Sequence, residues 1–280
     1  MSRHRILLAA AISLAAALGA GAAAADCAVP PSLAALGASL ERSGARIAAG
    51  KTLTVVAIGS SSTSGVGASR PEMSYPSQLE QELDERFPAL RIRVVNRGVG
   101  GQEVGDEVKR FDHDVLAENP DLVIWQVGTN AVLRHDDIAA DAPVIAQGIA
   151  AIRGRGIDLV LMDLQYAPRV LARPNYDAME KIIADAAHDA HVGLFRRFAI
   201  MRMWADTKQL DPEPLIRPDG VHMTDASYGC LARTLAEALA WDWWGQVKLA
   251  TSLPSRDLAV APHVEAGLVR DKGTLRGDAQ

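Results

Sequence analysis

The chain alternates short apolar segments with longer segments of helical periodicity. Five apolar segments predict β-strands, at residues 52–58, 92–95, 122–127, 159–164 and 193–198. The third and fourth segments are almost continuously apolar, which is typical of strands that are covered on both faces of a sheet.

Helical patterns separate and follow these strands, at residues 76–87, 103–118, 138–153, 175–190 and 225–243. The last pattern has one apolar stripe, formed by Ala226, Cys230, Leu231, Leu235 and Leu239. Strand and helix patterns alternate within one continuous block. This predicts an α/β fold, a three-layer αβα domain with a doubly wound, mainly parallel five-stranded sheet.

The two ends of the chain differ from this block. Arg3 and Arg5 precede an apolar segment at residues 6–18, and Ala23 to Ala25 offer a small-residue cleavage site. These features predict a cleaved signal peptide at residues 1–25, and therefore a periplasmic or secreted protein. The folded domain is expected at residues 26–247, and residues 248–280 are expected to form a weakly ordered tail.

The net charge limits the choice of partners. Removal of Arg3 and Arg5 with the signal peptide takes the formal charge from −5 to −7. An acidic protein has no electrostatic attraction for nucleic acid or for anionic membranes. We therefore expect no nucleic-acid partner and no stable membrane insertion, and the sequence does not indicate an oligomeric state.

Two cysteines, Cys27 and Cys230, remain after removal of the signal peptide. Export implies an oxidising compartment, so we predict a disulfide that joins the mature N-terminus to the last helix. The alternative is two free buried thiols, because both cysteines lie beside apolar residues.

Candidate catalytic chemistry begins where the first predicted strand ends. Gly59 is followed by five hydroxyl residues, Ser60 to Ser64, at the sheet edge where active sites of this fold class lie. The glycine spacing does not match a phosphate-binding loop, no lysine follows, and the G-x-S-x-G elbow is absent. We expect a serine nucleophile here, and no cofactor.

A general base is expected in the segment RPDGVHMT, residues 217–224. Asp219 and His222 are three residues apart, so the carboxylate can orient the imidazole and stabilise its cation. The alternative is a Pro-Asp-Gly turn with a chance histidine. Residues 98–101 and Asn130 offer oxyanion donors, although glycine and asparagine are also ordinary turn residues. The sequence shows no convincing cluster of metal ligands.

These motifs together resemble the SGNH hydrolases, also called GDSL-type esterases, over residues 52–244. The resemblance implies a flavodoxin-like fold and a catalytic triad with an oxyanion hole. The implied triad residues are Ser61, Asp219 and His222, and the implied oxyanion donors are Ser61, Gly101 and Asn130. Three positions depart from the family pattern. Ser60 replaces an aspartate, Ser62 replaces a leucine, and Ala131 replaces an aspartate.

The expected function is that of an exported serine carboxylester hydrolase. It would remove short O-acyl groups from a small-molecule or glycan ester through an acyl-serine intermediate. Short acyl groups are favoured because Phe and Tyr are scarce and no long apolar insertion is present. The alternatives are a broad esterase, thioesterase or lysophospholipase, an O-acyltransferase that uses the same acyl-enzyme, and a non-catalytic glycan-binding relative.

Overall fold

The computed structural model describes residues 27–134, 137–210 and 214–252. The predicted signal peptide lies outside these residues, as does the predicted tail beyond Ser252. Both therefore stay predictions.

A five-stranded sheet forms the centre of the molecule. Its strands are β1 (Leu53–Gly59), β2 (Ile92–Gly98), β3 (Leu122–Gln126), β4 (Asp158–Met162) and β5 (Gly193–Phe195). Their order is β2-β1-β3-β4-β5, and all neighbours are parallel. This is the flavodoxin-like order. The predicted strands and the predicted fold class are confirmed.

The sheet has a hydrophobic core on each face. Side chains alternate along each strand, so Val55 and Ala57 belong to one core while Val56 and Ile58 belong to the other. Every residue of β3 and β4 is buried, which explains why their sequences are apolar except for Gln126 and Asp158.

Twelve α-helices are present in the described part of the chain. The longer ones are α2 (Glu41–Ala48), α4 (Tyr75–Arg86), α8 (Asp141–Arg153), α10 (Tyr176–Asp189), α11 (Arg197–Thr207) and α12 (Asp225–Ser252). The shorter ones are α1 (Pro31–Ala34), α3 (Ser61–Ser64), α5 (Val104–Lys109), α6 (Phe111–Asp114), α7 (Thr129–Arg134) and α9 (Pro168–Leu171). The first core packs against α2, α4, α11 and α12, and the second packs against α5, α8 and α10.

Three predicted elements have different bounds in the structure, and the sequence patterns did not predict α1, α2, α3, α7, α9 or α11. The helix predicted at 103–118 is divided into α5, α6 and a 3₁₀ turn at Leu116–Glu118. The strand predicted to reach residue 198 ends at Phe195, and α11 begins at Arg197. The carboxylate of Asp163 accepts the N–H of Phe198 at 2.9 Å, which stabilises this helix start. The third difference is α12, which continues to Ser252 rather than ending at 243.

The predicted disulfide between Cys27 and Cys230 is confirmed. The two Cα atoms are 5.3 Å apart, and the bond connects positions 203 residues apart in the sequence. It holds the segment before α1 against the second turn of α12. Within the described residues, no helix is both long enough and apolar enough to cross a membrane.

Candidate active site

The strand β1 delivers Ser61 to the carboxyl edge of the sheet. β1 ends at Gly59, Ser60 precedes the helix, and Ser61 is the first residue of α3. Ser61 is half-buried, whereas Ser60, Ser62 and Thr63 are buried. Ser61 is therefore the more accessible hydroxyl of these four.

Asp219 and His222 lie on a loop that its own backbone closes. An isolated antiparallel bridge joins Ile216 to Met223, and the N–H of Arg217 donates to the carbonyl of His222 at 2.7 Å. The carboxylate of Asp219 accepts the N–H groups of Val221 and His222, both at 2.9 Å. These bonds hold Asp219 and His222 in one fixed relative orientation.

The structure brings Ser61, His222 and Asp219 into one chain of contacts. His222 Nε2 lies 2.9 Å from Ser61 Oγ, and His222 Nδ1 lies 2.6 Å from Asp219 Oδ2. A neutral imidazole protonated at Nδ1 donates to the carboxylate and leaves Nε2 to accept the serine proton. This geometry is that of a nucleophile, a general base and an orienting carboxylate.

Asp219 is held in its charged form. Partial burial acts to raise its pKa. Hydrogen bonds outweigh this effect: the carboxylate accepts from the N–H of Val221 and from the side chain and N–H of His222. Together with the charge of His222, they lower the pKa to about 2. The carboxylate therefore stays available to stabilise an imidazolium cation.

The other hydroxyls of the turn have structural partners. Gln126 Oε1, at the end of β3, accepts from the hydroxyls of Ser60, Ser62 and Thr63 at 3.2, 3.1 and 3.3 Å, and from the N–H of Ser60 at 3.1 Å. Ser64 Oγ donates to the carbonyl of Ser61 at 2.9 Å. Ser60, Ser62 and Thr63 thus anchor the turn to β3, and the Ser61 hydroxyl faces His222.

The predicted oxyanion donors lie on two adjacent loops. Gly101 has a φ of +81°. The residue before it, Gly100, lies close to the nucleophile, because a Cβ added to Gly100 would be 3.9 Å from Ser61 Cβ. Asn130 Nδ2 donates to the carbonyl of Gln102 at 2.7 Å, so the asparagine is tied to the residue after Gly101. The N–H of Ser61, at the first position of α3, has no carbonyl to reach within its own helix. The loops bearing the three predicted donors therefore meet near the Ser61 hydroxyl.

Sequence reasoning missed two side chains that hold these loops together. Arg110 donates to Gln102 Oε1 at 2.6 Å, to the carbonyl of Gly59 at 3.2 Å and to the Asp114 carboxylate at 2.8 Å. Gln126 is the other. It is the one polar residue of an otherwise apolar strand, a signal that could have identified it, whereas nothing in the sequence context of Arg110 marks that residue.

A third missed residue is Gly67, which lies against the back of His222. Its φ is +95°, and an added Cβ would lie 2.5 Å from the carbonyl of Met223 and 2.9 Å from His222 Cβ. Only glycine fits this position without displacing the histidine.

The site is open to solvent. The side chains of Asp219 and His222 are 44% and 20% exposed. A cavity of about 590 Å³ lies elsewhere, between residues 29–39 and the second half of α12, and none of the predicted site residues lines it. The side chains of Asp219 and His222 can therefore be reached from solvent.

Esterases are similar to this chain in sequence. An acetylxylan esterase of Geobacillus stearothermophilus is 36% identical over 81 residues, which are 26% of this chain and 37% of the relative. An arylesterase of Vibrio mimicus is 24% identical over 170 residues, 60% of this chain and 79% of the relative. The chain thus spans only about a third of the acetylxylan esterase and most of the arylesterase.

Solved structures share the fold. An acetyl xylan esterase from Geobacillus stearothermophilus superposes with a TM-score of 0.58 at 21% identity, covering 68% of this chain and 95% of the other. A two-domain esterase active on acetylated mannans superposes with a TM-score of 0.59 at 19% identity, covering 73% of this chain and 53% of the other.

The profile of the Non-GDSL lipase-like family matches residues 26–243. The word non-GDSL agrees with Ser60 and Ser62, which stand where the GDSL motif has aspartate and leucine. The resemblance to SGNH-type esterases predicted from the sequence is confirmed at the level of the family, and the chain belongs to the Non-GDSL lipase-like family.

Proposed function

We propose that this protein is a serine carboxylester hydrolase of the SGNH type, with Ser61 as nucleophile. The single observation that carries the proposal is the chain of contacts from Ser61 Oγ to His222 at 2.9 Å and from His222 to Asp219 at 2.6 Å. A binding protein has no need of a serine, a histidine and a carboxylate in this order.

The proposed reaction proceeds through an acyl-enzyme. His222 Nε2 takes the proton of Ser61 as Oγ attacks the ester carbonyl carbon, and Asp219 stabilises the resulting imidazolium. The N–H groups of Ser61 and Gly101 and the amide of Asn130 stabilise the oxyanion. His222 then protonates the leaving alcohol, and water repeats the cycle to release the acid.

The proposed substrates are short-chain O-acyl esters of carbohydrate. The relatives include an acetylxylan esterase and, at the level of fold, an esterase active on acetylated mannans. The exposure of Asp219 and His222 is compatible with this choice, because a site that solvent reaches can accept an acyl group that projects from a bulky glycan.

We also propose that the protein is exported. The predicted signal peptide is one support, and the Cys27–Cys230 disulfide is another. Such bonds persist mainly in the periplasm or outside the cell.

The test compares three forms of the protein on a short-chain aryl acetate: wild type, Ser61→Ala and Ser64→Ala. We expect Ser61→Ala to abolish activity, and Ser64→Ala to keep activity of the same order as wild type. Ser64 is the matched control because it is a serine of the same turn, and its hydroxyl bonds to a backbone carbonyl instead of His222. Equal activity of Ser61→Ala and wild type would contradict the proposal.

A further inference from the structure

Arg197 is a buried charged residue that the proposed chemistry does not use. It begins α11, its side chain is 0% exposed, and no sequence pattern singles it out. Burying a guanidinium is costly unless charge and hydrogen bonds compensate it. The carboxyl of Asp163 supplies an opposing charge.

One end of Arg197 contacts the nucleophile turn. Its Nη1 donates to Ser62 Oγ at 3.0 Å, and Ser62 Oγ donates in turn to Gln126 Oε1 at 3.1 Å. The Ser62 hydroxyl thus donates its proton to Gln126 and accepts a hydrogen bond from Arg197. These two bonds together fix its orientation. Ser62 is the residue directly after Ser61, so this orientation constrains the nucleophile.

The other end of Arg197 contacts the loop after β4. Its Nη2 donates to the carbonyl of Asp163 at 2.6 Å and to Gln165 Oε1 at 2.9 Å. Gln165 Oε1 also accepts from Thr129 Oγ1 at 2.8 Å. Thr129 directly precedes Asn130, so Arg197 is linked to the proposed oxyanion loop as well.

Gln165 extends the connection to the histidine loop. Its Nε2 donates to the carbonyl of Val221 at 3.4 Å, and Val221 directly precedes His222. The two nitrogens Nη1 and Nη2 of one rigid, planar group therefore connect residues adjacent to Ser61, Asn130 and His222. A lysine has a single nitrogen and cannot donate in this fork geometry.

We propose that Arg197 is a positioning residue that sets the distance between the Ser61 hydroxyl and His222. This inference rests on the proposed function. It touches neither substrate nor the reacting atoms. It acts through Ser62 on the nucleophile turn and through Gln165 on the loops of Asn130 and His222.

The test uses Ser62→Ala and Arg197→Lys, with Ser43→Ala as a matched control. Ser43 is also a buried serine, bonded to Asp158 Oδ2 at 2.7 Å and to Trp243 Nε1 at 2.8 Å, and Asp158 begins β4 at the opposite edge of the sheet. Thermal unfolding measures the stability of each variant. The parameters kcat and KM are then measured below the unfolding transition.

We expect kcat to fall about 10-fold in Ser62→Ala and on the order of 10²-fold in Arg197→Lys, because small misplacements of reacting groups have effects of this size. The KM of both variants should stay nearly unchanged. Ser43→Ala should lose stability but keep its kcat. If Ser62→Ala and Arg197→Lys also keep the wild-type kcat while folded, Arg197 has only a structural role and the inference is wrong.

Labelling with a fluorophosphonate separates this inference from the proposed function. We expect wild type to be labelled at Ser61, and Ser62→Ala and Arg197→Lys to be labelled more slowly. If wild type is labelled and the variants react at the same rate, the positioning role fails while the nucleophile stands. If wild type is not labelled at Ser61, the proposed function fails, and the positioning role fails with it.

Discussion

Gly98 at the end of β2 lies directly against the backbone of Ser64. An added Cβ at Gly98 would be 2.1 Å from the nitrogen of Ser64 and 2.5 Å from the carbonyl carbon of Thr63. Gly98 also pairs with Gly59 in the register of β1 and β2. The turn that carries Ser61 therefore rests on a position where the neighbouring strand has no side chain.

We predict that Gly98→Ala displaces the nucleophile turn. The obstructing atoms are backbone, so the turn must shift, and activity on an aryl acetate should fall by about 10²-fold, the effect of a 1 Å misplacement. Gly105→Ala is the matched control, because an added Cβ there has no atom within 4 Å. Equal activity of the two variants would show that the turn tolerates the methyl group.

Asn130→Ala should remove one oxyanion donor and lower kcat roughly 100- to 1000-fold. One N–H of the Asn130 amide is used by the carbonyl of Gln102 at 2.7 Å. The other makes no hydrogen bond within the described part of the chain, which leaves it available to the substrate. The measurement is kcat on an aryl acetate beside a thermal unfolding curve. Nearly full activity in a folded variant would remove Asn130 from the proposed mechanism.

Glu107 is predicted to make stability fall as the pH rises. Burial raises its pKa from 4.5 to about 8, against the opposing effects of the hydrogen bond from Trp125 and the charge of Arg110. At pH values between these two pKa values, Glu107 keeps its proton in the folded protein but has released it in the unfolded chain. The free energy of unfolding therefore decreases with rising pH across this window.

Glu107→Gln should remove this contribution to the pH dependence. The glutamine oxygen can still accept from Trp125 Nε1, which lies 2.7 Å from Glu107 Oε2. Urea unfolding from pH 5 to 9 should show the variant gaining stability relative to wild type toward the alkaline end. Glu72→Gln, at an exposed position, serves as the control. Parallel profiles for Glu107→Gln and wild type would contradict the prediction.

Loss of the disulfide should lower the stability of the protein and leave its catalytic rate unchanged. Replacing Cys27 and Cys230 by serine releases a constraint across 203 residues of sequence. We expect the free energy of unfolding to decrease by about 2–4 kcal/mol. Cys27 lies before α1 and Cys230 in α12, outside the turn and the loop that carry Ser61, Asp219 and His222. The value of kcat measured well below the unfolding transition should therefore match wild type. A large loss of kcat in the folded variant would show that the disulfide also shapes the active site.

The hydrophobic pattern determined the strands and four of the six longer helices, because each buried face imposes its period on the sequence. It did not reveal α2 or α11. The segment Leu194 to Ile200 mixes apolar residues with two arginines, and the buried partners of Arg197 that decide its conformation lie far away in sequence. The pattern also joined α5 and α6, which are separate helices that bury residues in the same core.

The sequence by itself determined the motif order and the short pairing of Asp219 with His222, since three residues in one loop are close in any fold. The tertiary structure decided which hydroxyl meets the histidine. Ser61 and His222 are 161 residues apart: Ser61 follows β1, whereas His222 lies on the loop between α11 and α12. Only the packing of these helices against the sheet brings the two residues together. It also decided the roles of Gln126 and Arg197, because hydrogen bonds between distant loops leave no local pattern in the sequence.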